Sequence, residues 1–187
     1  MTFSNERPQK AVSRKLLKDA LLVLMEEKDY QDISISQLCE RAGVSRKTFY
    51  RHYNRIDDIL KQLLQEFAGQ TAQMMMKEVV RKIVNFTIPY FEFMKAHLAF
   101  LQLLRKNDLL LQLMQCINEE IQCKLPTDQT GSPNLFFDWG FYVAFGIMWM
   151  LTLRWLEEGA VKSPEEMSEI TNTVIAALVQ GREYSMP

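Results

Sequence analysis

Glycine and proline are scarce, at 7 and 6 of 187 residues, and apolar residues recur at helical spacing almost throughout the chain. So few turn-forming positions exclude an all-β fold, and the chain reads as all-α. Cysteine is scarcer still. Cys39, Cys116 and Cys123 are too few and too scattered for a disulfide framework, and the last two, seven positions apart, stand roughly 10 Å from each other along a helix, beyond bridging reach. A reducing cytoplasm fits that usage, and the opening MTFSNERPQK lacks the apolar stretch of an export signal. An excess of one charge sign is also missing, the formal net charge being −1. Gly-rich phosphate loops, a G-x-S-x-G elbow and an HExxH pair are all absent from the sequence, so enzymatic chemistry has no visible carrier and no metal or cofactor is expected.

Long hydrophobic runs are nearly absent too. The exception is 135–153, about as long and apolar as a minimal membrane span. Asp138 within it, Gly140 and Gly146 along it, Arg154 at its end and the lack of a second such segment favour a buried, dimer-forming core helix instead.

What is present is a succession of helical patterns. After Pro8, an apolar stripe of Val12, Leu16, Leu17, Ala20, Leu21 and Leu24 predicts a first helix ending near Lys28. Past a loop at 29–32, Ser34 is placed to cap a short helix with Ile35, Leu38 and Ala42 inward, and Gly43 to stop it. Ser45 caps a third helix, which runs to Tyr53. A fourth begins near Arg55, with Ile56, Ile59, Leu60, Leu63, Leu64 and Phe67 as its stripe. Further helices are expected over 77–95, 97–106 and 109–124. A loop at 126–133 follows, then long helices over 134–158 and 164–180, joined at Gly159. Ser163, Pro164 and Glu166 together spell the start of the last one. The functional division is expected at 55/56, giving domains 1–55 and 56–187.

The first 60 residues hold 11 Lys and Arg against 9 Asp and Glu, and the remainder 11 against 14. Between Arg41 and Arg55 the imbalance is local and complete: Arg41, Arg46, Lys47, Arg51 and Arg55 occur with no acidic residue. The longer stretch that contains it, ISQLCERAGVSRKTFYRHYNR after Ser34, sets a short helix, a Gly turn and a second short helix within about 20 residues, the spacing of a helix-turn-helix. Ala42 must be small where the two helices cross, Gly43 supplies a positive φ, and Val44 is expected to be buried beneath the turn. With Phe49 set inward, about 100° per residue points Lys47 and Arg51 directly outward and puts Thr48 and Tyr50 on the flanks. Arg or Lys on such a face reaches guanine edges, while Ser, Thr and Tyr hydroxyls suit phosphates, with a further phosphate site at the amides around Ser45.

AGVSRKTFYRHYNRIDDIL resembles the recognition segment of the Tet-repressor-like (TetR/AcrR) regulators, and the first helix and the ISISQL start of the second extend the resemblance over roughly residues 9–64. The resemblance implies phosphate contacts from Ser34, Ser45, Tyr50, Tyr53 and Arg55, and approach to bases by Arg46, Lys47, Thr48 and His52. Asn54, Arg55, Ile56 and Asp57 stand where that family more often has a small residue, Lys and an acid. It further implies a DNA-binding transcription regulator, a repressor by default, whose last two long helices pair with those of a second copy on an inverted-repeat operator. Phe137, Gly140, Phe141, Ala144, Gly146 and Trp149 are then the expected dimer contacts. Phe91, Phe93, Met94, Phe100, Met114, Phe136, Phe145 and Met148 offer a pocket for a small apolar or weakly polar effector, against ordinary core packing. The alternatives are a C-terminal domain that binds a protein partner, an architectural DNA binder, and a membrane-anchored protein using 135–153. Cys39 reads as buried between the first two helices, and His97 as a helix-end or core residue.

Overall fold

The computed structural model describes residues 8–80, 86–124 and 135–179. Among them the elements are α1 (Pro8–Glu27), a single 3-10 turn (Tyr30–Asp32), α2 (Ile35–Ala42), α3 (Arg46–His52), α4 (Ile56–Val80), α5 (Thr87–Ala96), α6 (Leu98–Lys106), α7 (Leu110–Gln122), α8 (Leu135–Glu157) and α9 (Pro164–Val179). The described residues contain no strand, so the expected all-α class holds. No helix among them is long and apolar enough to cross a membrane, the stretch 135–153 within α8 included. The expected loop at 126–133 lies outside the described residues.

The chain divides into two compact units. One runs up to Ala68 and takes in Leu103–Cys116, and the other holds Gly69–Gln102 and the residues from Ile117 onward. The division expected at 55/56 falls inside the first unit.

In the first unit α1 packs on α2 and α3. Leu17, Ala20, Leu21, Leu24 and Met25 are buried together with Leu38, Cys39, Ala42, Phe49, Ile59, Leu60 and Leu64. The predicted α1 stripe is corrected at its start, where Val12 is 58% and Leu16 42% exposed. A four-residue step turns a helix about 40° past one full revolution, so stepping back from Ala20 to Leu16 to Val12 walks off the buried face. Val44 is half-buried, not fully covered. The end of α1 is held by the end of α6. Lys106 Nζ donates to the Glu26 carbonyl at 2.6 Å, and Asn107 Nδ2 to those of Leu103 at 2.9 Å and Met25 at 3.4 Å. Carbonyls in the last turn of a helix have no partner of their own, and these two side chains supply one. Asn107 Oδ1 in turn accepts the Tyr30 N–H at 2.8 Å.

The helix expected over 77–95 is not formed. α4 carries on through Lys77 to Val80, and a separate α5 starts at Thr87. Pro89 explains the break: a helix over 77–95 would hold it mid-helix without an N–H, whereas a start at Thr87 puts it in the first turn, where no intrahelical partner is lost.

In the second unit α5 packs on α9. The fully buried Tyr90 hydroxyl pairs with that of Thr152 at 2.9 Å, and Thr87 with Ser168 at 2.6 Å, so the polar groups among the apolar side chains are satisfied. Phe91 meets Trp155 edge-on, with centroids 5.8 Å apart. The α8–α9 turn uses positive φ at Gly159 and Ala160. Ser163 and Glu166 close the expected capping box, the Ser163 N–H donating to Glu166 Oε2 at 2.6 Å and the Glu166 N–H to Ser163 Oγ at 3.2 Å.

Candidate nucleic-acid interface

Short helices need their ends satisfied, and both α2 and α3 carry their own caps. Ser34 Oγ accepts the Gln37 N–H at 3.3 Å while Gln37 Oε1 accepts the Ser34 N–H at 3.1 Å, a complete capping box. α2 ends on Gly43 at φ 64 and ψ 30, whose N–H donates to the Cys39 and Glu40 carbonyls. A Cβ on Gly43 would meet nothing within 4 Å, so glycine is required there by its backbone angle alone and not by space. Ser45 Oγ then accepts the Thr48 N–H at 3.1 Å and lies 3.0 Å from the Thr48 hydroxyl, starting α3.

Phe49 is fully buried and anchors α3, its ring edge-on to Tyr50 at 5.3 Å. Lys47 and Arg51 are exposed on the opposite side, Thr48 is half-buried and Tyr50 exposed, as the helical angles require. No ion pair among the described residues engages Lys47 or Arg51. The other cations of the segment have partners. Arg41 pairs with Glu27 at 2.7 Å, Arg46 donates to the Ser36 hydroxyl, and the Arg55 side chain lies 3.9 Å from Asp57.

Tyr53 differs from the rest of the expected set. It is buried, and its hydroxyl donates to Gln62 Oε1 at 2.8 Å, fixing the approach of α4 to α3. His52 is half-buried beside its ring. At the start of α4, Asp58 Oδ2 accepts the N–H groups of Arg55 at 3.0 Å and Asn54 at 2.8 Å. These two bonds hold its carboxyl below the ordinary range. The buried Cys39 thiol is pushed up by desolvation, which keeps it protonated.

Two features of this region escaped the sequence. Val12 and Ser13 of α1 line one cleft with Gly43, Val44, Ser45, Thr48 and Arg51. Gln62 is the partner of Tyr53. The nearest signal for the first was Ser13, an uncharged polar residue in a helix built, apart from Gln9, of apolar and charged residues.

The residues expected in a pocket or a dimer contact are distributed as follows. Phe91, Met94, Phe145 and Met148 are buried in the second unit. Phe100 and Phe93 are half-buried there, and Met114 is half-buried in the first unit. A cleft of about 390 Å³ in the second unit is lined instead by Lys162, Glu166, Glu169, Ile170, Thr173 and Val174. Trp149, 4% exposed, packs within its own chain near Phe145. Gly146 is exposed, between Val143 and Met150, which are 63% and 64% exposed. Phe136, Phe137, Gly140, Phe141 and Ala144 lie outside the residues whose side chains are described.

Comparison with known proteins agrees with this geometry. The family described as bacterial regulatory proteins, tetR family, matches residues 17–63. The uncharacterized HTH-type transcriptional regulator YxbF of Bacillus subtilis (strain 168) is 25% identical over 165 residues, which cover 82% of this chain and 42% of that protein. The chain thus spans about two fifths of the length of that relative. A crystal structure of a tetR-family transcriptional regulator from Streptomyces coelicolor matches with a TM-score of 0.55 at 17% identity, over 92% of this chain and 85% of that one, a likeness of fold. The capped α2, the left-handed Gly43 and the buried Phe49 all lie inside the segment, residues 17–63, that is similar to the tetR family of bacterial regulatory proteins.

Proposed function

We propose that the chain is a sequence-specific DNA-binding transcription regulator, not an enzyme, which represses as a homodimer on an inverted-repeat operator and is released by a small-molecule effector. The observation that carries the DNA-binding reading is the division of α3: Phe49 fully buried, Lys47 and Arg51 outward and without ion pairs among the described residues. Cations held out on a rigid helix are available to guanine edges and to phosphates alike. Ser34, Ser45, Thr48 and Tyr50 add hydroxyls, and Arg46, His52 and Arg55 lie at its margins. Tyr53, whose hydroxyl is engaged with Gln62, supports the interface from behind.

Homodimerisation is supported by the exposed apolar face of Val143, Gly146 and Met150 at i, i+3 and i+7 along α8. An apolar effector is supported by the aromatic and methionine content around Phe91, Met94 and Met148, side chains that repack readily. A regulator of this kind works where the DNA is, in the cytoplasm. Selecting fragments of the source genome on the purified chain tests the reading. Enriched fragments sharing an inverted repeat with half-sites about one helical turn apart, roughly 34–36 Å, are expected. Recovery of unselected DNA, or of none, contradicts it.

A further inference from the structure

Clefts on the surface of the first unit differ in charge. One of about 360 Å³ is rimmed by Asp29, Asp32 and Asp108 around Lys106. Another, about 500 Å³, sets Glu27 and Glu40 beside Lys28 and Arg41. A third, also about 500 Å³, lies between the start of α1 and α3, and among the described residues no carboxylate lines it. Val12 and Ser13 form one wall, and Val44, Ser45, Thr48 and Arg51 the other. An unpaired guanidinium with three hydroxyls and two flanking apolar side chains matches a monoanion between apolar groups, the description of a phosphodiester between two deoxyribose rings. Lys10, exposed and three residues before Ser13, lies on the same face of α1 and extends the positive track by one turn. Exposure of Val12 in the DNA-free chain is then explained, because a sugar ring covers it in the complex.

We infer that this cleft holds the DNA backbone strand beside the groove that α3 enters, with Ser13 and Lys10 of α1 as backbone contacts and Arg51 turned onto that strand, leaving Lys47 to read bases. The inference rests on the DNA-binding reading of α3. A strand gripped in this way contributes affinity without regard to sequence, so random-sequence duplex DNA is a sufficient probe.

The experiment measures binding of the full chain to a fluorescent 30-base-pair duplex of random sequence across a salt series. Wild type is compared with Lys10→Ala, Ser13→Ala, Ser13→Glu, Arg51→Ala and, as a cation in the carboxylate-bearing cleft, Lys28→Ala. Helix content is checked by circular dichroism. Lys10→Ala and Arg51→Ala are each expected to flatten the slope of log affinity against log salt by about 0.9. Ser13→Glu is expected to weaken binding at least tenfold, Ser13→Ala a few-fold, and Lys28→Ala not at all. Wild-type affinity and slope in Lys10→Ala and both Ser13 variants, with wild type itself binding, overturn the α1 contact and leave the DNA-binding reading intact. No binding by wild type at low salt overturns both.

Discussion

The Tyr30 hydroxyl donates to the Asp57 carboxylate at 2.5 Å, tying the turn that follows α1 to the first turn of α4 across 27 positions of sequence. The same residue gives its backbone N–H to Asn107, so one tyrosine joins three helix ends. Burial first, and then the bond to Asp57, push the Tyr30 hydroxyl well above its ordinary 10.0. A pKa raised on folding stabilises the fold fully below the unfolded value and ceases to do so as pH rises through the folded one. Tyr30→Phe is therefore expected to lower stability by about 1 kcal/mol at neutral pH, read by urea unfolding. It should also make the loss of stability above pH 10 shallower. An unchanged midpoint at pH 7 would show that the pair contributes nothing.

Gly43 tests backbone strain in isolation. Since a Cβ there meets no neighbour, Gly43→Ala should cost about 1–2 kcal/mol from the left-handed angle alone, and Gly43→Asn distinctly less, because Asn tolerates that region. Thermal unfolding of the two variants decides it. Equal losses would mean that something other than φ sets the requirement.

Lys47→Ala is expected to cost about 1–3 kcal/mol on the selected operator and to relax base choice at one position, while leaving affinity for random duplex much less affected. Tyr50→Phe should weaken operator and random DNA alike, since a phosphate contact carries no sequence information. Competition titrations with single-base operator variants separate the two. A uniform loss for Lys47→Ala would move it from base reading to backbone contact.

On α8, a Cβ at Gly146 would meet nothing within 4 Å and the position is exposed, so Gly146→Glu should fold normally. If the face of Val143, Gly146 and Met150 meets a second copy, the buried charge breaks that contact, and light scattering should report monomers where wild type gives dimers. A dimeric Gly146→Glu would place the contact elsewhere.

Reading ahead from sequence succeeded at the helix caps, where the chemistry was local, although the equally local signal of Pro89 was passed over. Ser34 with Gln37, Gly43, Ser45 with Thr48, and Ser163 with Glu166 each satisfy backbone groups within four positions, so residue type and spacing suffice. The outward turn of Lys47 and Arg51 followed from Phe49 and the helical period. It failed where position in space decides. Val12 and Leu16 belong to the apolar pattern of α1 but outrun the surface available to cover them. Tyr53 sits beside cations in sequence yet turns its hydroxyl to Gln62. Pro89 carried the correct helix start, overlooked in favour of an unbroken pattern. The bonds from Lys106 and Asn107 to α1 and its following turn span about 80 positions, and no periodicity announces them.

Those last bonds limit how the chain can be recombined. A chimera that grafts only the residues up to Ala68 onto a foreign carboxy-terminal half leaves behind the donors to the Met25 and Glu26 carbonyls, together with the buried Leu103, Leu104, Leu109 and Leu113. The first unit is stitched from two separate stretches of the chain, so a crossover between them severs it. Exchange of specificity by domain shuffling must carry 103–116 along, or rebuild its contacts in the recipient.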